Sequence, residues 1–168
     1  MAVLAVLGYG LDLGTKVLAV AELTDRPPVP VIGDFLTLSL ARNPGAAFST
    51  GTSYTMVLTF VAITAAVVVL WVSRRLAGTG WAIGLGFLLA GILGNLTDRI
   101  FRSPGFLRGH VVDFLALPHW PIFNVADICI NVAAAVIIVQ AVRGVSVDGT
   151  RTAKQSGAAG SAEPDESP

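Results

Sequence analysis

The chain has 168 residues, of which 54% are hydrophobic and only 13% charged, and its mean hydropathy is +0.73. A water-soluble domain is not built this way, and the apolar residues gather in runs near the ~20 residues a helix needs to cross hydrocarbon, so the chain reads as an integral membrane protein. Eleven basic residues balance eleven acidic ones with no basic block, so no nucleic-acid partner is expected, and the one cysteine, Cys129, cannot form an internal disulfide.

Residues 1–21 form the first apolar run, interrupted only by Asp12 and Lys16. A signal peptide carries its positive charge ahead of the apolar stretch; here both charges fall inside it, so the run is read as helix one. Residues 22–53 are polar and proline-bearing, but 35–41 alternates, with Leu36, Leu38 and Leu40 on one face and Thr37 and Ser39 on the other, which predicts a strand. Asn43-Pro44-Gly45 is turn chemistry, and residues 46–49 are expected to return as a second strand of a small sheet outside the membrane.

Residues 54–72 contain no charge and stop at Ser73-Arg74-Arg75, which makes them the clearest span. A third span covers 81–96 and ends in Asn95, Asp98 and Arg99, while Gly84, Gly91 and Gly94 permit close helix packing. The polar stretch 99–121 precedes a fourth span, 122–142, in which Cys129 reads as an inert packed thiol. Beyond it, Gly, Ser, Ala, Pro and acidic residues predict a disordered tail, so the chain divides into a membrane domain, 1–143, and a tail, 144–168.

Four spans put both termini on one side. Lysines and arginines divide five to five between the Arg74-Arg75 hairpin with the tail and the two longer loops. They are densest in the short hairpin, which is therefore expected to be cytoplasmic together with both termini. Helical spacing gathers Gly8, Asp12, Thr15 and Ala19 on one face of helix one, with Lys16 at ion-pairing distance from Asp12; Gly84, Gly91, Asn95 and Asp98 on helix three; and Asn124, Asp127 and Asn131 on helix four. Polar groups in spans face the bundle interior or a water-filled cavity, so the three faces are expected to converge.

Asp113 and Asp127 fall near the water-facing end of the last span, where ionised carboxylates are costly unless they pair, hydrogen-bond or share a proton. His110 and His119 lie nearby, but no tight ligand motif is present and no metal is expected.

Five blocks carry a resemblance: Asp12-Leu13-Gly14-Thr15-Lys16, Asn43-Pro44-Gly45-Ala46-Ala47-Phe48, Gly94-Asn95-Leu96-Thr97-Asp98-Arg99, Gly109-His110-Val111-Val112-Asp113-Phe114, and Phe123-Asn124-Val125-Ala126-Asp127. In content and order they resemble the lipoprotein signal peptidases, the type II signal peptidases of bacteria. The resemblance implies an all-α integral membrane fold of four transmembrane helices, with a small extracytoplasmic β-sheet between helices one and two, in the cytoplasmic membrane. It implies an aspartic endopeptidase, without cofactor or metal, that cuts a prolipoprotein just before a diacylglyceryl-modified cysteine. Membrane lipids and the lipidated prolipoprotein are the expected partners, and the enzyme is expected to be a monomer with its site near the outer surface.

By the same resemblance Asp113 and Asp127 are the catalytic pair, a fit to chemistry in which one ionised carboxylate takes a proton from water and the other, protonated, donates one. Asn43, Gly45, Asn95, Arg99 and Asn124 are the implied substrate-binding residues, and Asp12, Lys16 and Asp98 the supporting ones. Each has an ordinary counterpart. Asn-Pro-Gly is also simply a good turn, Asn124 also a helix cap, Arg99 also an interfacial arginine, and Asp12 with Lys16 a structural ion pair in preference to a direct catalytic part. A proton-coupled transporter would use similar intramembrane charges but commonly shows repeated halves, and none is found; a packing scaffold would leave the two aspartates unexplained.

Overall fold

The computed structural model describes residues 1–45 and 51–150. In chain order it holds α1 (Ala2–Leu23), β1 (Val29–Ile32), β2 (Leu36–Asn43), α2 (Gly51–Ser73), α3 (Thr79–Phe101), β3 (Val111–Ala116) and α4 (Val125–Val142). Each of the four helices supplies a stretch long and apolar enough to cross a membrane. Their outer faces carry Val3, Leu7, Val61, Val67, Ile138 and Val139, all exposed, as lipid-facing side chains must be.

The helix with the most glycine sits at the centre. Half of the apolar window of α3 is buried, against 17–22% for the other three, and α3 packs on each of them. Its glycines are the reason: a Cβ on Gly84 would press on Ile137 and Val136, one on Gly91 would meet the Ala126 carbonyl and Ile130, and one on Gly94 would meet Asp12 and Ala126. Small residues let backbones approach where burial of apolar surface gives no drive between helices in lipid. From α1, Gly8 closes on Ala90, beside the buried Cys129 thiol, which is packed as the sequence suggested.

The predicted strand is β2, and Leu38 and Leu40 pack against Ala19, Leu23 and Phe114 at the end of α1. It is the middle strand of an antiparallel sheet ordered β1-β2-β3. The return strand expected at 46–49 lies outside the described residues. Two strands were not foreseen. In β1 every residue is exposed and Pro30 interrupts the run, so no alternation marks it. In β3 the run Val111-Val112-Asp113-Phe114 is buried throughout, which removes the period-two signal. The sheet thus draws a strand from the connection between α3 and α4, which brings Asp113 in on an extended backbone rather than at a helix end.

The C-terminal segment does not leave the bundle at once. The Trp81 indole donates to the Val145 carbonyl at 2.8 Å, and the Ala77 N–H donates to Val147 O at 3.1 Å, so residues 145–150 turn back under the α2–α3 connection.

Candidate active site

Asp113 and Asp127 arrive from different elements, β3 and the first turn of α4, and Asn124 bridges them. Asn124 is the N-cap of α4: its Oδ1 accepts from the Asp127 N–H at 3.0 Å, while its own N–H donates to Asp127 Oδ2 at 3.1 Å. This reciprocal capping box aims the remaining Asn124 Nδ2 at Asp113 Oδ1, 2.6 Å away. Asn124 is the helix cap the sequence offered, and the same geometry brings its side chain to Asp113. Asn43, at the end of β2, donates Nδ2 to Asp113 Oδ2 at 3.0 Å, and Asn95 of α3 donates Nδ2 to Asp127 Oδ1 at 2.9 Å. All four carboxylate oxygens therefore accept from an N–H group.

Asp113 is 2% exposed, and burial pushes its carboxyl from the ordinary 3.8 up to about 6. The hydrogen bonds from Asn43 and Asn124 and the charge of Lys16 oppose the rise, while repulsion from Asp127 adds to it. Because the folded value lies above the unfolded one, the native state takes up a proton between about pH 4 and 6. The stability this provides is present below that window and lost as pH rises through it.

A second polar cluster lies directly behind. Lys16 is fully buried, and its ammonium meets Asp12 Oδ2 at 2.8 Å, Asp98 Oδ2 at 2.9 Å and Asn95 Oδ1 at 2.9 Å. Asp12 Oδ1 accepts from the Ala126 N–H at 2.8 Å, Asp98 Oδ2 from the Val112 N–H at 3.1 Å, and Asp98 Oδ1 pairs with Arg102. The cluster thereby pins the start of α4 and the start of β3, the two segments that carry Asp127 and Asp113. Arg99 lies within the field of Asp113, Asp98 and Asp127, and its Nη1 is buried with no hydrogen-bond partner among the described residues. Counted together, Lys16, Arg99 and Arg102 face Asp12, Asp98, Asp113 and Asp127, so one proton on the Asp113–Asp127 pair makes the interior neutral, the state a low-dielectric setting favours.

Asn43, Asp113, Asp127 and Asn131 form the polar side of a cleft of about 490 Å³ whose other side is Trp120, Ile128 and Val132. Those three are exposed on the outside of the bundle, so the cleft joins the carboxylates to the lipid-facing surface of α4. Gly45 sits at its approach with φ +97, a backbone value that favours glycine, and a side chain there would strike Leu58 and crowd the Arg99 guanidinium. Its N–H donates to Asn43 Oδ1 at 2.8 Å.

The structure brings together Asp12, Lys16, Asn43, Asn95, Asp98, Arg99, Asp113, Asn124 and Asp127, with Gly45 at the rim. Of the polar positions expected on converging faces, Thr15 stands apart and turns back to donate to Leu11 O and Asp12 O, whereas exposed Asn131 lines the cleft and donates to the Asp127 carbonyl. Sequence reasoning missed Arg102, though its i,i+4 spacing from Asp98 was a usable signal. It also missed Thr59, a fully buried hydroxyl that donates to Leu107 O and ties the 102–110 connection to α2. Among the described residues no three of His, Cys, Asp or Glu stand close enough to hold a metal ion.

The family model described as signal peptidase (SPase) II matches residues 4–143. A lipoprotein signal peptidase of Mycobacterium avium is 52% identical over 138 residues, covering 82% of this chain and 76% of its own. One from Streptomyces griseus is 47% identical over 146 residues, covering 87% and 74% respectively. Among solved structures, a bacterial membrane enzyme determined by the in meso method at 1.9 Å resolution superposes with a TM-score of 0.70 at 26% identity, covering 84% of this chain and 91% of that one.

Proposed function

Since this chain belongs to the signal peptidase II family, a multi-pass membrane protease that removes signal peptides from prolipoproteins, we propose that Asp113 and Asp127 are its catalytic pair and that it cuts just before a diacylglyceryl-modified cysteine. The observation that carries this reading is the cleft itself: a buried carboxylate, Asp113, and a half-buried one, Asp127, along its polar side, each held by an asparagine amide, and an exposed apolar wall of Trp120, Ile128 and Val132 beside them. A substrate that enters from the bilayer with acyl chains next to its scissile bond needs that combination.

The pair carries one shared proton. The ionised carboxylate takes a proton from water as the oxygen attacks the scissile carbonyl carbon, and the protonated one gives its proton to the carbonyl oxygen. Collapse of the tetrahedral diol breaks the C–N bond, the leaving amine takes up a proton, and the pair returns to its single proton. No acyl-enzyme forms. Asn43, Gly45, Asn95, Arg99 and Asn124 bind substrate or hold the pair, with the unpartnered Arg99 Nη1 available to a peptide carbonyl or a lipid phosphate. The Arg74-Arg75 hairpin, both termini and the tail lie on the cytoplasmic side, which puts the cleft at the outer surface of the cytoplasmic membrane.

The test is mass analysis of detergent-purified protein acting on a prolipoprotein with and without its diacylglyceryl group. Cleavage only of the lipidated form, on the N-terminal side of the modified cysteine, is expected; a folded sample that leaves it intact refutes the assignment. Asn43→Ala adds a pH signature. Loss of its hydrogen bond raises Asp113, the member that holds the pair's proton, further, so the alkaline limb of the cleavage profile is expected to move to higher pH, with a larger deficit at pH 6 than at pH 8.

A further inference from the structure

Three asparagine amides point at the two carboxylates, and each amide has its direction set by a group that can only donate. The Gly45 N–H holds Asn43 Oδ1, and the Asp127 N–H holds Asn124 Oδ1. The third case is different in kind, because the donor on Asn95 Oδ1 is a side chain from another helix, the Lys16 ammonium at 2.9 Å. We propose that Lys16 is a positioning residue for the reaction: by donating to Asn95 Oδ1 it forbids the reversed carboxamide and keeps Asn95 Nδ2 on Asp127 Oδ1.

An ammonium donates and cannot accept, and here it lies in ion pairs with Asp12 and Asp98 while its hydrogen bond goes to Asn95 Oδ1. A carboxamide rotated by half a turn would set its NH2 against that ammonium and its oxygen against Asp127, two repulsive contacts at once. With the rotation blocked, Asp127 keeps two N–H donors, from Asn95 and from the Asn124 backbone, and is presented as an acceptor ready to take a proton from water. Asn124 Nδ2 also reaches Asn95 Oδ1, but at 3.2 Å and without charge, so it is the weaker of the two restraints. The other charged groups facing Asp127 are Asp113 from β3 and Arg99 from α3, neither of which contacts Asn95 Oδ1.

This rests on the assignment of Asp113 and Asp127 as the reacting pair. The test is the double variant Lys16→Gln, Asp12→Asn, which removes one charge of each sign, keeps the interior neutral, and puts at position 16 an amide able to accept as well as donate. Cleavage at pH 7 is expected to fall ~10- to 100-fold with KM within about threefold of the parent, and the acid limb of the kcat/KM profile to move to higher pH. A folded double variant with the parental pH profile, whatever its overall rate, overturns the proposal, since a purely structural part would scale the rate and leave the profile in place.

A measurement on the unaltered protein covers a variant that fails to fold. With 15N-labelled asparagine, the Asn95 NH2 is expected to give one set of signals, with one proton shifted downfield by the Asp127 carboxylate. Two sets of Asn95 signals in exchange, one for each carboxamide orientation, overturn the proposal. If Asp113→Asn and Asp127→Asn keep activity, the assignment of the pair fails; if they lose it and the Lys16 readouts do not move, only this inference fails.

Discussion

Asp113→Asn and Asp127→Asn are each expected to lower cleavage by at least ~10³-fold while leaving the bundle folded. An amide can neither take a proton from water nor hand one to the scissile carbonyl at neutral pH, so either substitution removes one half of an acid–base step that single groups accelerate by ~10²–10⁴. The effects should not add: with one carboxylate gone the other has no partner, and the double variant is expected to be about as inactive as either single one. Folding is disturbed only modestly. Every carboxylate oxygen in the pair accepts an N–H bond, so an introduced NH2 group must face another donor, at a cost of about 1–3 kcal/mol. Size-exclusion profiles and thermal melts of the variants check the fold, and mass analysis of the lipidated substrate checks the activity. Cleavage within tenfold of the parent by either variant would remove that residue from the pair.

Lys16→Met has the largest expected effect on stability. The methionine fills similar volume but leaves Asp12 with only the Ala126 N–H, and Asp98 with only Arg102 and the Val112 N–H, in a cluster where Lys16 is 0% and both carboxylates 1% exposed. Breaking a buried pair by removing one partner costs about 3–5 kcal/mol, because the charge left behind has no water to solvate it. In a chain of this size that is on the order of 10 °C in Tm. Adding Asp12→Asn should restore much of the loss by removing the stranded charge, as the neutral pairing at positions 12 and 16 requires. A single variant that melts within a degree or two of the parent would mean that water already reaches the cluster.

The two predictions fall on adjacent layers of one interior. The front layer holds the reacting pair, and the back layer holds the segments that carry it, through Ala126 at the start of α4 and Val112 in β3. Loss of a front residue should leave a folded, inactive protein, whereas loss of the back cation should lower the melt and the activity together.

By itself the sequence determined the four spans, because the length of an apolar run and its freedom from charge are local properties that lipid reads directly. It determined β2 through the alternation of Leu36, Leu38 and Leu40, and it singled out nearly every residue of the candidate site, since five short blocks carry most of its polar groups in a chain otherwise poor in them. It did not yield β1 or β3: an exposed strand with a proline and a strand buried throughout both lack the alternation from which strands are read. Nor did it show which group each amide and carboxylate holds. Asn43 reaches Asp113 across 70 residues of chain, Asn95 reaches Asp127 across 32, and Lys16 reaches Asn95 across 79. Only tertiary structure decided those pairings, because a hydrogen bond depends on placement within a few tenths of an ångström, and that placement came from the close approach of α1 and α4 to the glycines of α3.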